Sequence, residues 1–229
     1  SKLGAQTILV DKDEIALKES VAKLGVGHKY FPIDVTHSDA ANQAMLAAIN
    51  NFGGLDILIS NAGAAHAGPM LGISNEELRN AFELNFFSHY SFSTEAAKIL
   101  KDQNRGGQIL FNISKQAVNP GKNFGAYGLP KATTFFLMRQ LALELGSDGI
   151  RVNGINADRI RSGLLTDDFI SSRAKSRGVS ESEYMAGNLL NKEVTAEHVA
   201  DAFTALACAE STTGHVMTVD GGNIEASLR

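Results

Sequence analysis

The segment Asn112-Ile-Ser-Lys-Gln-Ala-Val-Asn-Pro-Gly-Lys-Asn-Phe-Gly-Ala-Tyr-Gly-Leu-Pro-Lys131 joins a short apolar run to a long helical one. Tyr127 and Lys131 stand about one helical turn apart, so their side chains share a face. An ammonium beside a phenol favours the anionic form and lowers its pKa. That brings a proton donor and acceptor toward neutral pH, out of reach for a free tyrosine at about 10. Ser114, at the end of the preceding strand, can hydrogen-bond the oxygen whose proton moves. The trio suits interconversion of an alcohol and a carbonyl compound. A lone Tyr-x-x-x-Lys arises by chance in roughly one such chain in five, and Tyr127 could simply cap a core helix. The surroundings decide.

Working outward, short β-branched runs alternate with helical segments. Strands are predicted at 7–10, 28–33, 55–60, 108–113, 151–155 and 215–219. Helices are predicted at 13–24, 38–52, 75–102 (a pair), 125–145 and 195–209. Apolar strands separated by helices predict an α/β, doubly wound, mostly parallel sheet of the Rossmann type, covered on both faces. The polar interval 162–193 contains no strand and follows a strand end, the side where ligands bind in such sheets. It reads as a substrate lid or as a surface helical hairpin. The helix 125–145 is apolar on every side, with Phe135, Phe136, Leu137, Met138, Leu141, Leu143 and Leu145. A sheet covers only one face, so a second subunit is expected on the other, giving a homo-oligomer (dimer or tetramer).

The 229 residues read as one domain, 1–229, with a sizeable core. The single cysteine, Cys208, excludes an internal disulfide and is expected to be a small buried residue. A formal net charge of −4 with no basic block argues against nucleic acid. No apolar run reaches the roughly 18 residues that cross a membrane, and no signal peptide opens the chain, so a cytoplasmic address is expected. The six histidines are scattered, without metal-ligand spacing, and read as structural or surface residues.

Asp11 ends the first strand. A carboxylate there can bind adenosine ribose hydroxyls and repels a 2′-phosphate, favouring NAD over NADP, although capping of the next helix is also open to it. Asp34-Val35 follows the second strand, where a short acceptor could meet the adenine amino group. Asn61-Ala62-Gly63 follows the third, where small residues let the backbone approach a cofactor and Asn61 can tie neighbouring strands.

In this order, with Asn85 and the closing Val219-Asp-Gly-Gly222, the chain resembles the short-chain dehydrogenase/reductase family along essentially its whole length. The resemblance implies that Tyr127 is the acid/base and that Lys131 lowers its pKa and holds the nicotinamide ribose. It implies that Ser114 orients the substrate oxygen and that Asn85 supports a water-linked proton relay.

Two departures stand out. The family opens with a strand, a Gly-x-x-x-Gly-x-Gly turn and a helix that holds the pyrophosphate. Here Ser1-Lys-Leu-Gly-Ala-Gln6 resembles the tail of that helix, so the first strand, the glycine-rich turn and most of the first helix, roughly twenty to twenty-five residues, are expected to be missing. The second departure is Asn156-Ala-Asp-Arg-Ile-Arg-Ser-Gly-Leu-Leu165, where most members carry Pro-Gly. Asp158, Ile160 and Ser162 would border the nicotinamide, and Arg159 and Arg161 would either bind a carboxylate or polyol substrate or stand as solvated cations.

Segments 112–131, 156–166 and 214–229 are similar to the dehydrogenase half of bifunctional rhamnulose-1-phosphate aldolase/lactaldehyde (alcohol) dehydrogenases. That similarity implies lactaldehyde or a related small molecule as substrate and a covalent link to an upstream aldolase module. The rivals are a polyol or sugar dehydrogenase of the same family and a non-catalytic dehydrogenase-like scaffold.

Overall fold

Six short strands carry the architecture of the computed structural model, which describes residues 3–65, 67–163 and 165–223. They are β1 (Ile8–Asp11), β2 (Lys29–Pro32), β3 (Ile57–Ser60), β4 (Gly107–Asn112), β5 (Ile150–Ala157) and β6 (Val216–Val219). Every pairing among them is parallel. The helices are α1 (Glu14–Leu24), α2 (Ala40–Phe52), α3 (Asn75–Phe82), α4 (Ser88–Gln103), α5 (Gly125–Leu145), α6 (Asp167–Arg177), α7 (Glu181–Met185) and α8 (Ala196–Cys208). Parallel strands need crossovers, and helices supply them here.

The strands form two hydrogen-bonded sheets: β1-β2, and β3-β4-β5-β6. One helical layer joins them. Ala40, Ala41, Ala44 and Met45 of α2 with Phe92 and Ala96 of α4 bury Val10 and Phe31 on one sheet and Leu58 on the other. On the same face α5 and α4 cover Ile109, Phe111 and Val152. On the opposite face α8 covers Leu110 and Ile155. Ile57 and Ile59 align with Gln108 and Leu110 in the β3–β4 register, so they share that second face. They remain 40% and 50% exposed. The face is covered over β4 and β5 and open over β3.

Local sequence explains the helix ends. Asp13 caps α1 by accepting from Ala16 N, and Ser74 and Glu77 form a capping box on α3. Between α3 and α4 the chain runs through a π-helical segment, Glu83–Phe87, in which Ser88 N–H bonds Glu83 O. The helix expected over 125–145 has those ends. Its sheet-side residues Met138 and Leu141 are buried, while Phe136 and Leu143 are 68% and 79% exposed.

Cys208 is exposed, against the expectation of burial. It lies two positions beyond Leu206, the last buried residue of α8, and two positions on a helix is roughly 200° around the axis. The 162–193 interval folds into α6 and α7 with a small cluster of its own: Leu165, Ile170, Ala174, Tyr184 and Met185. No helix among the described residues is long and apolar enough to cross a membrane.

Candidate active site

Parallel strands put every carboxyl end on one side of the sheet. Asp11, Asp34, Asn61, Asn112, Ser114 and Asp158 all sit at or just beyond such ends. The β4 strand delivers Ser114 and α5 returns over it, carrying Tyr127 and Lys131 on its first two turns. The Ser114 hydroxyl hydrogen-bonds the Tyr127 phenol and also accepts from Gln116 N at 3.2 Å. Burial pushes the Tyr127 phenol above its ordinary value, and the Ser114 contact opposes that shift. Lys131 is buried, and burial lowers its pKa from 10.5 to about 7.

Lys131 was expected to lower the phenol's pKa, and it is not among the groups that shift it: burial raises the phenol and Ser114 opposes that. The Lys131 Nζ donates to Asn112 O at 2.9 Å and lies 3.4 Å from His89 Nε2, with the Tyr127 ring centroid 5.8 Å away. A buried amine goes where acceptors are, and Asn112 O and His89 Nε2 are both within its reach.

Asn85 sits inside the π segment. Its Nδ2 donates to Ala64 O at 2.9 Å and Ala81 O at 3.1 Å, and its Oδ1 accepts from Ala64 N at 3.2 Å. Its backbone carbonyl accepts from Thr134 Oγ1 of α5 at 2.8 Å. The altered ladder of a π turn leaves such groups free to point sideways. Gly63 has to be small: a Cβ there would lie 2.8 Å from Asn85 Oδ1 and 3.7 Å from Lys131 Nζ. Asn112 Nδ2 donates to Asn61 Oδ1 at 2.8 Å, tying the ends of β4 and β3. Ser114, Tyr127, Lys131, Asn85, Asn61 and Gly63 are thus one linked cluster, with Ala62 beside them.

The β1-β2 residues stand apart from that cluster. Asp11 is exposed and its Oδ1 accepts from Asp13 N at 3.0 Å; helix capping falls to Asp13 instead. Asp34 accepts from Thr36 N at 3.0 Å and from Thr36 Oγ1 at 2.7 Å, which holds its carboxyl below the usual range. Val35 packs into the core under α2 and α4.

Beyond β5 the arrangement differs from the expected one. Asp158 is buried and paired: Lys115 Nζ at 2.8 Å, Arg159 Nε at 3.5 Å and Asn223 Nδ2 at 2.6 Å. Arg159 donates to Tyr184 O at 2.7 Å and stacks on the Tyr184 ring at 4.8 Å, pinning α7 to the strand end. Arg161 pairs with Glu193 at 2.7 Å and Asp167 at 2.6 Å. Both arginines therefore spend their guanidinium groups on the 162–193 segment. Ser162 Oγ lies 3.3 Å from Ile160 O, within a local turn. The glycines closing β6 serve the same segment: Leu190 N bonds Gly221 O at 3.0 Å, and Gly222, at φ 86°, has Leu189 packed where a Cβ would stand. A cleft of about 530 Å³ lies beside them, lined by Leu189, Leu190, Val194, His198 and Asp220, and contains none of the trio.

Residue reading overlooked His89, which is 1% exposed and contacts Lys131 directly. The available signal was spacing: His89 follows Asn85 by four positions on a helical run. Among the described residues no cluster of His, Cys, Asp and Glu could hold a metal ion.

The family described as enoyl-(acyl carrier protein) reductase matches residues 1–223. Mitochondrial borneol dehydrogenase of Lavandula x intermedia is 30% identical over 231 residues, covering 97% of this chain and 82% of that protein. The chain belongs to the short-chain dehydrogenase/reductase family. As a member it is an oxidoreductase acting on CH–OH groups. YuxG of Bacillus subtilis (strain 168), an uncharacterized oxidoreductase, is 35% identical over 198 residues; the match covers 83% of this chain and 29% of that relative. This dehydrogenase/reductase thus spans less than a third of YuxG. Its fold is that of 3-ketoacyl-(acyl-carrier-protein) reductase from Brucella melitensis, solved with NADH, at a TM-score of 0.84 and 24% identity, covering 96% and 88% of the two chains.

Proposed function

We propose that this dehydrogenase/reductase uses NAD to oxidise a small hydroxy-aldehyde or alcohol such as lactaldehyde, with Tyr127 as the proton acceptor. The observation that carries the reading is the buried Tyr127 phenol hydrogen-bonded to Ser114, one turn before the buried Lys131, at the carboxyl end of β4. Ser114 holds the substrate oxygen, and Tyr127, once its own phenolic proton has been passed on, takes the substrate's proton. Tyr127 is buried and Ser114 half-buried, which limits water at the transfer, so a fixed donor and acceptor work with little reorganisation. Lys131, with a pKa near neutrality, supplies or takes up the compensating proton. Asn85 holds the 64 loop against α5, keeping the rear of the site in register.

The residues suit a nicotinamide dinucleotide at both ends. Asp11 offers an exposed carboxylate to ribose hydroxyls, the basis for preferring NAD over NADP, and Asp34 and Val35 border the adenine. Asn61, Ala62 and Gly63 leave room for a close backbone approach, and Tyr127, Lys131, Ile160 and Ser162 border the nicotinamide end. When bound, the nicotinamide supplies the hydride acceptor. Asp158, paired to Lys115, acts through the loop it fixes.

The reading includes a further parallel strand between β1 and β3, with a glycine-rich turn and a helix over Ile57 and Ile59. Its support is that the two sheets are separate and these isoleucines exposed, since unpaired inner edges and open apolar faces are costly. It also includes a homo-oligomer in which Phe136 and Leu143 of α5 are covered, and residues 162–193 as the substrate lid. It extends to a covalent aldolase module, for which the support is the large unmatched part of YuxG, and to a cytoplasmic address.

The test is steady-state turnover of lactaldehyde, sorbitol and a rhamnose-derived sugar with NAD and with NADP, followed by nicotinamide absorbance. Highest kcat/KM for lactaldehyde with NAD supports the reading. Preference for sorbitol moves it to a polyol dehydrogenase. No turnover by a sample that binds NAD in calorimetry leaves a non-catalytic module.

A further inference from the structure

We propose that His89 is a positioning residue for Lys131: its imidazole accepts a hydrogen bond from the lysine Nζ and so fixes which direction remains for proton exchange. The proposal rests on the assignment of Lys131 to the reaction made above. His89 lies on α4 one turn after Asn85 and is among the most buried polar residues of the molecule. Its Nε2 is 3.4 Å from Lys131 Nζ, and its Nδ1 is 2.6 Å from Ser60 Oγ at the end of β3. The Phe111 ring of β4, with centroids 6.1 Å apart, packs on it. Nothing in the proton transfer at Tyr127 uses it.

The proposal takes one tautomer of the ring. An imidazole buried beside an amine stays neutral, because burial first and then Lys131 disfavour its protonation; a backbone contact at Ala62 opposes this only in part. Facing the Lys131 ammonium, which has no lone pair and also donates to Asn112 O, Nε2 accepts, and the ring's remaining N–H is on Nδ1, toward Ser60 Oγ. Ser60 from β3, the backbone of Ala62, Phe111 from β4 and Lys131 from α5 are the groups that face the ring, and Lys131 alone of these carries charge near neutrality.

The consequence is tetrahedral. An amine nitrogen has four directions, one taken by Cε. Asn112 O fixes the second and His89 the third. The fourth is the only one left for a proton to enter or leave. The neutral amine gains one proton and one unit of charge there and returns it by the same route, with no change in electron count. Without the imidazole, the amine could rotate about its side-chain bond and this direction would no longer be set.

The test is a pH titration of the 229-residue chain carrying 13C-labelled lysine, followed by NMR at Cε, with Lys131→Met identifying the signal. Hydrogen bonding to the ammonium favours it, so His89→Leu should lower the Lys131 midpoint by about one unit. His89→Gln, which keeps a neutral acceptor, should hold the midpoint within about 0.3 units. In turnover of lactaldehyde with NAD, the low-pH limb of kcat should move with the midpoint while KM stays level. Should His89→Leu fail to fold, His89→Asn, whose amide is too short to reach Nζ, takes its place. The same midpoint in the Leu (or Asn) and Gln variants overturns the proposal, as does a shift in His89→Gln as large as in His89→Leu. Because the NMR midpoint needs neither substrate nor cofactor, its failure is distinct from the absence of turnover.

Discussion

The β3-β4-β5-β6 sheet and the β1-β2 pair do the same kind of work by different means. In the larger sheet Ile109, Leu110, Val152 and Ile155 are fully buried, and helices cover both faces of its centre. In the smaller one no strand residue is fully buried, and attachment to the rest depends on the side chains beneath α2 and α4. The residues proposed for proton transfer ride on the first sheet, and the carboxylates proposed as nucleotide contacts ride on the second. A reaction that moves a proton needs its partners held within fractions of an ångström. A ribose contact tolerates more.

The comparison breaks most sharply at Tyr127. Tyr127→Phe should lower kcat by about 10³-fold while the unfolding midpoint holds, because only the hydroxyl and its Ser114 contact are lost. If turnover survives, the larger sheet is not where the chemistry resides. Next comes hydrogen exchange: amides of β4 and β5 should exchange roughly a hundred times more slowly than those of β1 and β2. Equal protection would mean the two sheets open as one unit.

Smaller effects sharpen it. Asp158→Ala leaves Lys115 and Arg159 without their carboxylate and should cost about 3 kcal/mol in urea unfolding. Lys131 has a lowered pKa in the folded state, so between about 7 and 10.5 the unfolded chain binds more protons than the folded one. Stability should therefore rise with pH across that window, by up to about 1.4 kcal/mol per unit from this group, and level off below it. Lys131→Met should remove that part of the slope in paired denaturation curves. Smallest of all, Arg161→Ala should leave the thermal midpoint unchanged, since both its ion pairs are in water. A raised KM in that variant would restore Arg161 as a substrate contact.

What could be read from the residues follows a physical divide. Periodicity exposed α5 to its ends, because both the apolar pattern and the Leu145-Gly146 boundary are local. Spacing exposed Tyr127 and Lys131 for the same reason. The split of the sheet is a relation between β1 and β3, some fifty residues apart, and no local pattern encodes it. The loop arginines looked available for substrate because their partners, Tyr184 O and Glu193, lie about 25 and 32 residues away. Cys208 was misjudged because composition says how often a cysteine is buried, while its phase on α8 decides whether this one is. The direction taken by Lys131 Nζ needed Asn112 O and His89 in three dimensions.

The π segment at Glu83–Phe87 holds one residue more than an α-helix of the same rise would need. That surplus sets the phase of everything after it. Winding the same residues as a regular α-helix would rotate α4 by about 100° relative to α3. His89 and Phe92 would then leave the sheet side together, and Asn85 could no longer face both the 64 loop and α5. Transplanting this site to another scaffold therefore means copying a phase of the backbone as well as a set of side chains.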